Sequence, residues 1–166
     1  MASPFDRLRD YLEAASALDD GRLELDLGPP ADAARLAALT GQVPREWLAL
    51  HALFDGVRLS WEPRGRALAN RALDVPHLGE SHWLVQPSTG VAYLRVDGPA
   101  AAVSTYYRRA AGEDVDAAVL VATTAGAFGR ADLVICSGLA EYLELGMQHD
   151  FVVGWPDAAA RARGCR

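Results

Sequence analysis

The chain reads as an α+β domain, and three observations predict that class. Helical apolar stripes flank the ends of the sequence, strand-like alternations crowd its middle, and a Pro/Gly turn joins two of them as a hairpin. Strands grouped between helices, not alternating with them, imply an antiparallel-rich sheet. At 166 residues the chain is long enough to bury one proper core. With no internal repeat and no low-complexity linker, residues 1–166 are expected to form a single domain.

Each element follows in order. Ser3 before Pro4 is an N-cap followed by proline at the first helical position. Phe5, Leu8, Tyr11, Leu12, Ala15 and Leu18 then share one helical face, and "DDG" at 19–21 stops the helix. In "RLELDL" (22–27) three leucines alternate with Arg22, Glu24 and Asp26, the pattern of a half-buried strand. Asp32 caps a short helix through Leu36 and Leu39 that Gly41 closes. In "QVPREWLALHALFDG" (42–56), Pro44 suits a first helical turn and Val43, Trp47, Leu50 and Phe54 make one apolar stripe. Asp55 is assigned to the last turn of that helix and Gly56 to its left-handed stop.

"VRLSW" (57–61) alternates again. Residues 62–82, rich in Gly, Pro, Arg and His, read mostly as a long surface loop, with "RALANRAL" the one candidate helix inside it. "WLVQ", the turn "PSTG" (87–90) and "VAYLRV" form the clearest hairpin. "VSTYYRR" (103–109) predicts a strand, "DAAVLVATTAGAF" fits strand or helix, and "ADLVICSG" predicts a strand. Ser137 is expected to cap a final helix carrying Leu139, Tyr142, Leu143 and Met147. "DFVVGWP" is a last strand or a packed tail, and 157–166 is expected to be loose.

Composition narrows the function classes. The net charge of −6 with a pI near 5.1 argues against non-specific nucleic-acid binding and suits a basic protein partner. No apolar run reaches the roughly 20 residues that span a bilayer, and the N-terminus lacks the pattern of a secretory signal, so a cytoplasmic protein is expected. Cys136 and Cys165 alone suggest neither a disulfide framework nor a zinc site.

Enzyme signatures are missing. The chain has no lysine, hence no Walker loop, and it has no G-x-G-x-x-G, G-x-S-x-G or HExxH motif. The remaining candidates for acid–base or metal chemistry are His77, His82 and Asp97, with His51 and Asp55 at helical spacing. "HLGESH" spaces its histidines five apart, which puts them on different sides of a helix. Glu141 and Glu144 read as the solvated face of the last helix. No catalytic residue, metal or cofactor is therefore assigned. Arg58, Trp61, Tyr106, Tyr107 and Arg108 interleave aromatic and arginine side chains, the composition of protein-binding hot spots and also of ordinary strands with one face exposed.

"ADAARLAALTGQVPREWLALHALFDG" resembles the N-terminal signature of the SMI1/KNR4 (SUKH) superfamily. That signature is a short helix, a connector, a Leu-Pro or Val-Pro opening, an amphipathic helix and a closing Asn-Gly or Asp-Gly. Val43 and Pro44 match the opening, Trp47, Leu50 and Phe54 the stripe, and Asp55 and Gly56 the close. "WLVQPSTGVAYLRVDG" is similar to the family's central strands and "VICSGLAEYLELGM" to its last strand and helix. The likeness covers about residues 31–148, departs from the family at Val57 and through 99–131, and leaves the helix and strand within 1–30 as an addition. It implies an α+β fold without a catalytic centre and, for bacterial members, an immunity protein that binds and occludes a cognate toxin, often a nuclease. The alternatives it leaves are a regulatory scaffold and, from the histidines alone, a small metal-dependent hydrolase.

Overall fold

A computed structural model describes residues 3–17, 21–63, 71–98, 104–123, 128–129, 132–152 and 155–156. Among the described residues, four helices and eight strands run in the order α1 (Pro4–Ser16), β1 (Gly21–Leu27), α2 (Ala33–Ala38), α3 (Arg45–His51), β2 (Val57–Pro63), β3 (Arg71–Val75), β4 (Leu84–Val85), β5 (Ala92–Asp97), β6 (Ser104–Arg109), β7 (Val119–Thr123), β8 (Leu133–Cys136) and α4 (Leu139–Gln148). The strands form two antiparallel sheets, β1-β2-β3 and β4-β5-β6-β7-β8. The α+β class and the antiparallel sheets are as the sequence predicts.

Local chemistry sets the first helix. The Ser3 hydroxyl accepts the Asp6 N–H at 3.1 Å, and the Asp6 carboxylate accepts the Ser3 N–H at 3.2 Å, a reciprocal capping box. Leu8 and Leu12 are fully buried in the main core, so the N-terminal helix is integral to the packing rather than laid over it. β1 pairs along its length with β2, in the register Leu23↔Trp61, Leu25↔Leu59 and Leu27↔Val57. The polar row Asp26↔Arg58↔Asp74 lies on the other, uncovered face.

Four expectations need correction. The second half of "RALANRAL" is strand, not helix or loop: β3 buries Leu73 and Val75 and turns Ala72 and Asp74 outward, a period of two too brief to stand out in sequence. Residues 64–70 lie outside the described residues, as does the tail 157–166. Helix α3 ends with the cap at Ala52, one turn earlier than expected, so Gly56 (φ +98°) opens β2 instead of stopping the helix, and Asp55 lies beyond it. Pro44 is the N-cap of α3 and not its first helical residue. The N-cap of α4 is Gly138, not Ser137, whose hydroxyl donates to Glu141 at 3.1 Å.

A side chain from another helix takes the capping role. Glu46, in the first turn of α3, accepts the Leu139 N–H at 2.5 Å and the Ala140 N–H at 3.3 Å, which places a carboxylate on the positive end of α4. Gly138 permits this approach, since a Cβ there would stand 2.7 Å from the Glu46 carboxylate.

The ambiguous segment resolves as a 3-10 turn at Val115–Ala117 followed by strand β7, because β6 and β8 flank it on both sides. The described residues of "DFVVGWP" pack against the core rather than pairing as a strand. Phe151 and Trp155 enter the core, and the Phe151 carbonyl accepts the Ala72 N–H of β3 at 2.9 Å.

The two sheets are joined through Asp97. Its carboxylate accepts the Asp74 N–H of β3 at 2.7 Å and the Tyr142 hydroxyl of α4 at 2.5 Å, while the Thr105 hydroxyl of β6 donates to Tyr142 at 3.0 Å. The Gly98 N–H reaches the Asp74 carbonyl at 3.1 Å. Burial pushes the Asp97 pKa up from its ordinary 3.8, against the pull of the Tyr142 and Asp74 hydrogen bonds. The folded-state value is the raised one, so Asp97's share of stability is complete below pH 3.8 and is lost as pH rises from there through the higher folded-state value.

Two outcomes follow. Tyr142→Phe leaves a buried carboxylate short of a donor and lowers unfolding stability by about 2 kcal/mol at neutral pH, with a smaller loss in acid; urea unfolding at both pH values measures this. Gly146→Ala gains up to about 1 kcal/mol of helix propensity. Its Cβ, however, would overlap the ring of Phe151, which is held at φ 48°. The expected net result is a loss of about 1–2 kcal/mol, since overpacking a tight core costs about 1–3 kcal/mol.

Candidate functional site

His51 and Asp55 are held together, but by the scaffold. The His51 ring is fully buried, edge-on to Trp47 with centroids 4.5 Å apart. Its Nδ1 lies 3.2 Å from an Asp55 oxygen that also accepts the Leu78 N–H at 2.5 Å. Arg35 of α2 stands 3.9 Å from the other oxygen. Backbone bonds tie the same region: Ala31 N–H to the His51 carbonyl (2.8 Å), Asp55 N–H to Pro29 (2.9 Å) and Gly28 N–H to Gly56 (3.0 Å). Asp55 thus clips α2, the end of α3 and the Leu78 turn into one unit. Burial lowers the His51 pKa from 6.5 to about 4, with the Asp55 charge opposing it. The neutral ring is then assigned Nδ1–H toward Asp55. Its Nε2 is buried with no partner among the described residues.

The three other candidates for chemistry do not converge. Asp97 is the buried joint between the sheets, and His82 is exposed. His77 alone lines a cleft, of about 290 Å³, at the junction of the sheets, with Asp26, Arg58, Asp74, Glu80 and Arg95. There Arg95 pairs with Glu80 at 2.9 Å, and the Arg58 Nε lies 3.6 Å from Asp74. The ring of His77 covers Gly56, where a Cβ would meet its Nδ1 at 2.9 Å. Among the described residues no group of three or more His, Cys, Asp or Glu is placed to hold a metal ion. Glu141 bonds Ser137, and Glu144 pairs with Arg7 of α1.

The five residues read as a partner surface are also dispersed. Arg58 is exposed at the cleft. Trp61, Tyr106 and Tyr107 are 4%, 1% and 1% exposed, so their rings offer no contact surface. For the two tyrosines the reason is that β6 is covered on both faces. Tyr107 meets the main core and Trp47 on one side, while Tyr106 lies with Tyr93 and Phe128 on the other. Arg108 has its NH1 3.6 Å from Asp132.

Sequence reasoning missed Glu46, Arg45 and Asp116. The Asp116 carboxylate accepts the Arg45 N–H at 2.8 Å and its Nε at 2.6 Å, across 71 residues of chain. An acidic residue in a first helical turn, as Glu46 is, ordinarily signals only its own helix.

No family model, curated protein or solved structure matches this chain. No helix among the described residues is long and apolar enough to cross a membrane.

The buried histidine makes stability pH-dependent. A depressed folded-state pKa means that its contribution is present above pH 6.5 and lost as pH falls toward about 4. The gap between 6.5 and about 4 corresponds to at most about 3 kcal/mol. His51→Gln is expected to flatten the unfolding free energy across that interval, measured by denaturant titration at stepped pH.

Proposed function

We propose that the chain is a protein-binding module, an immunity protein of the SMI1/KNR4 (SUKH) kind that neutralises a cognate bacterial toxin in the cytoplasm. The observation that carries this reading is the employment of the polar side chains. His51, Asp55 and Asp97, three of the five groups the sequence offers for chemistry, hold elements together, and the other two, His77 and His82, do not converge with them. That leaves the surface as the functional part. The resemblance over residues 31–148 and the net charge of −6 favour a basic partner such as a nuclease domain. Neutralisation then needs only occlusion, with the immunity protein seated over the toxin's substrate site. Opposite charge steers the encounter, and desolvated anchors slow dissociation.

Co-expression with the product of the adjacent gene tests this reading. A one-to-one complex that survives purification and removes the partner's toxicity is expected, with an association rate that falls as salt rises. An activity of the isolated chain that disappears in His77→Ala would instead support the small hydrolase. Several weak partners and no protection would support the regulatory scaffold.

A further inference from the structure

We propose that the outer edge of β1 takes an added strand from a protein partner, an extended segment with apolar side chains on one face and arginine or lysine on the other. The inference rests on the protein-binding reading above and supplies its contact surface.

Backbone hydrogen bonding fixes which groups face outward. On β3, Ala72 donates to the Phe151 carbonyl, Asp74 donates to the Asp97 carboxylate, and the Asp74 carbonyl accepts from Gly98. Both residues therefore bond away from β2. Along an antiparallel strand such bonding alternates from residue to residue. Leu73 and Val75 then bond β2 at Leu59 and Val57, and Arg58 and Ser60 bond β1 at Asp26 and Glu24. The Gly28 N–H on the Gly56 carbonyl, at 3.0 Å, continues the same alternation. The N–H and C=O groups of Leu23, Leu25 and Leu27 consequently point away from the sheet. Among the described residues they have no hydrogen-bond partner.

Nothing in β1 blunts this edge. The strand has seven residues, no proline and no register shift against β2. Edges of that kind template a further strand. The apolar row also stops short. Leu59 and Leu73 are buried, whereas Leu23, Leu25 and Leu27 are only partly buried against the same core. An apolar residue opposite each leucine would continue the row.

Charge selects the chemistry of the other face. Glu24, Asp26 and Glu62 are exposed there, with Asp74 half-buried beside them. Against these four carboxylates stand Arg58 and, by its place in the alternation, Arg22. Asp26 has neither a hydrogen bond nor an ion pair among the described residues. Basic side chains opposite Glu24 and Asp26 would form cross-strand pairs of opposite charge. A second copy of β1, paired over its full length, would bring Arg22 to Asp26 but Glu24 to Glu24, and would extend one acidic face with another. The complementary occupant is a basic strand.

Amide hydrogen exchange on the isotope-labelled protein tests this, with a capped peptide that alternates valine and arginine over seven residues, the length of β1. In the free protein the Leu23, Leu25 and Leu27 amides should exchange fast, and those of Glu24 and Asp26 slowly. Peptide at ten times its Kd should slow the three leucine amides about tenfold. In an antiparallel pairing the valine N–H groups face β1 and the arginine N–H groups face away. N-methylation of the valines should therefore weaken binding at least about tenfold, and N-methylation of the arginines should leave it unchanged. Asp26→Arg should weaken binding, and a peptide with glutamate for arginine should not bind. No binding of the valine–arginine peptide, slow leucine amides in the free protein, equal effects of the two methylations, or equal binding of the glutamate peptide would overturn the proposal. If the purified toxin complex forms while the three leucine amides still exchange fast, this edge is wrong and the protein-binding reading stands. Peptide binding at the edge without any protein complex would leave the edge standing and remove that reading.

Discussion

The Asp97 carboxylate is the constraint on which the arrangement of layers depends. Strand β3 of the three-stranded sheet lies against β5 of the five-stranded sheet, with no strand ladder between them. One carboxylate bridges the gap by taking a backbone N–H from β3 and the Tyr142 hydroxyl from α4. The register shift in β5 between Arg95 and Asp97 accompanies this bridge. A buried carboxylate is costly unless its oxygens are satisfied, and here both are. The seam is therefore specific: no neutral hydrophobe could hold a strand amide and a helix phenol at once.

A second carboxylate does comparable work at the other end of the core. Glu46 leaves the first turn of α3 and stands on the first amides of α4, two helices nearly a hundred residues apart in the chain. Gly138 makes the space for it, and Arg45 beside it grips Asp116. The helix that the sequence marks most clearly thus orients the last helix through a charge, while its apolar face fills the core. A cavity of about 360 Å³ remains where α3, β6 and the start of α4 converge.

The pattern of buried aromatics changes what a binding surface on this molecule can be. Tyr106 and Tyr107 are consecutive and point to opposite faces, as strand geometry requires, and both faces are covered. Aromatic density in a strand signals a surface only when one side of the sheet is free. What the three-stranded sheet leaves uncovered is a charged row, Asp26, Arg58 and Asp74.

Periodicity and punctuation in the sequence determined the α+β class, the capped first helix, the Val43–Trp47–Leu50–Phe54 stripe and the Pro/Gly hairpin, because these depend on residues a few positions apart. Strand β3 escaped because five residues between loop-like neighbours give too few periods to register. The length of α3 was over-read because Asp-Gly punctuation follows the helix by several residues. The carboxylate partners of Asp55, Asp97 and Glu46 could not be read at all, since a charged side chain looks alike in sequence whether it meets water or a strand amide. Only the tertiary structure brings Leu78, Asp74 and Leu139 to them, and it alone decided that His51 and Asp55 are a structural clip and that the tyrosine rings are core.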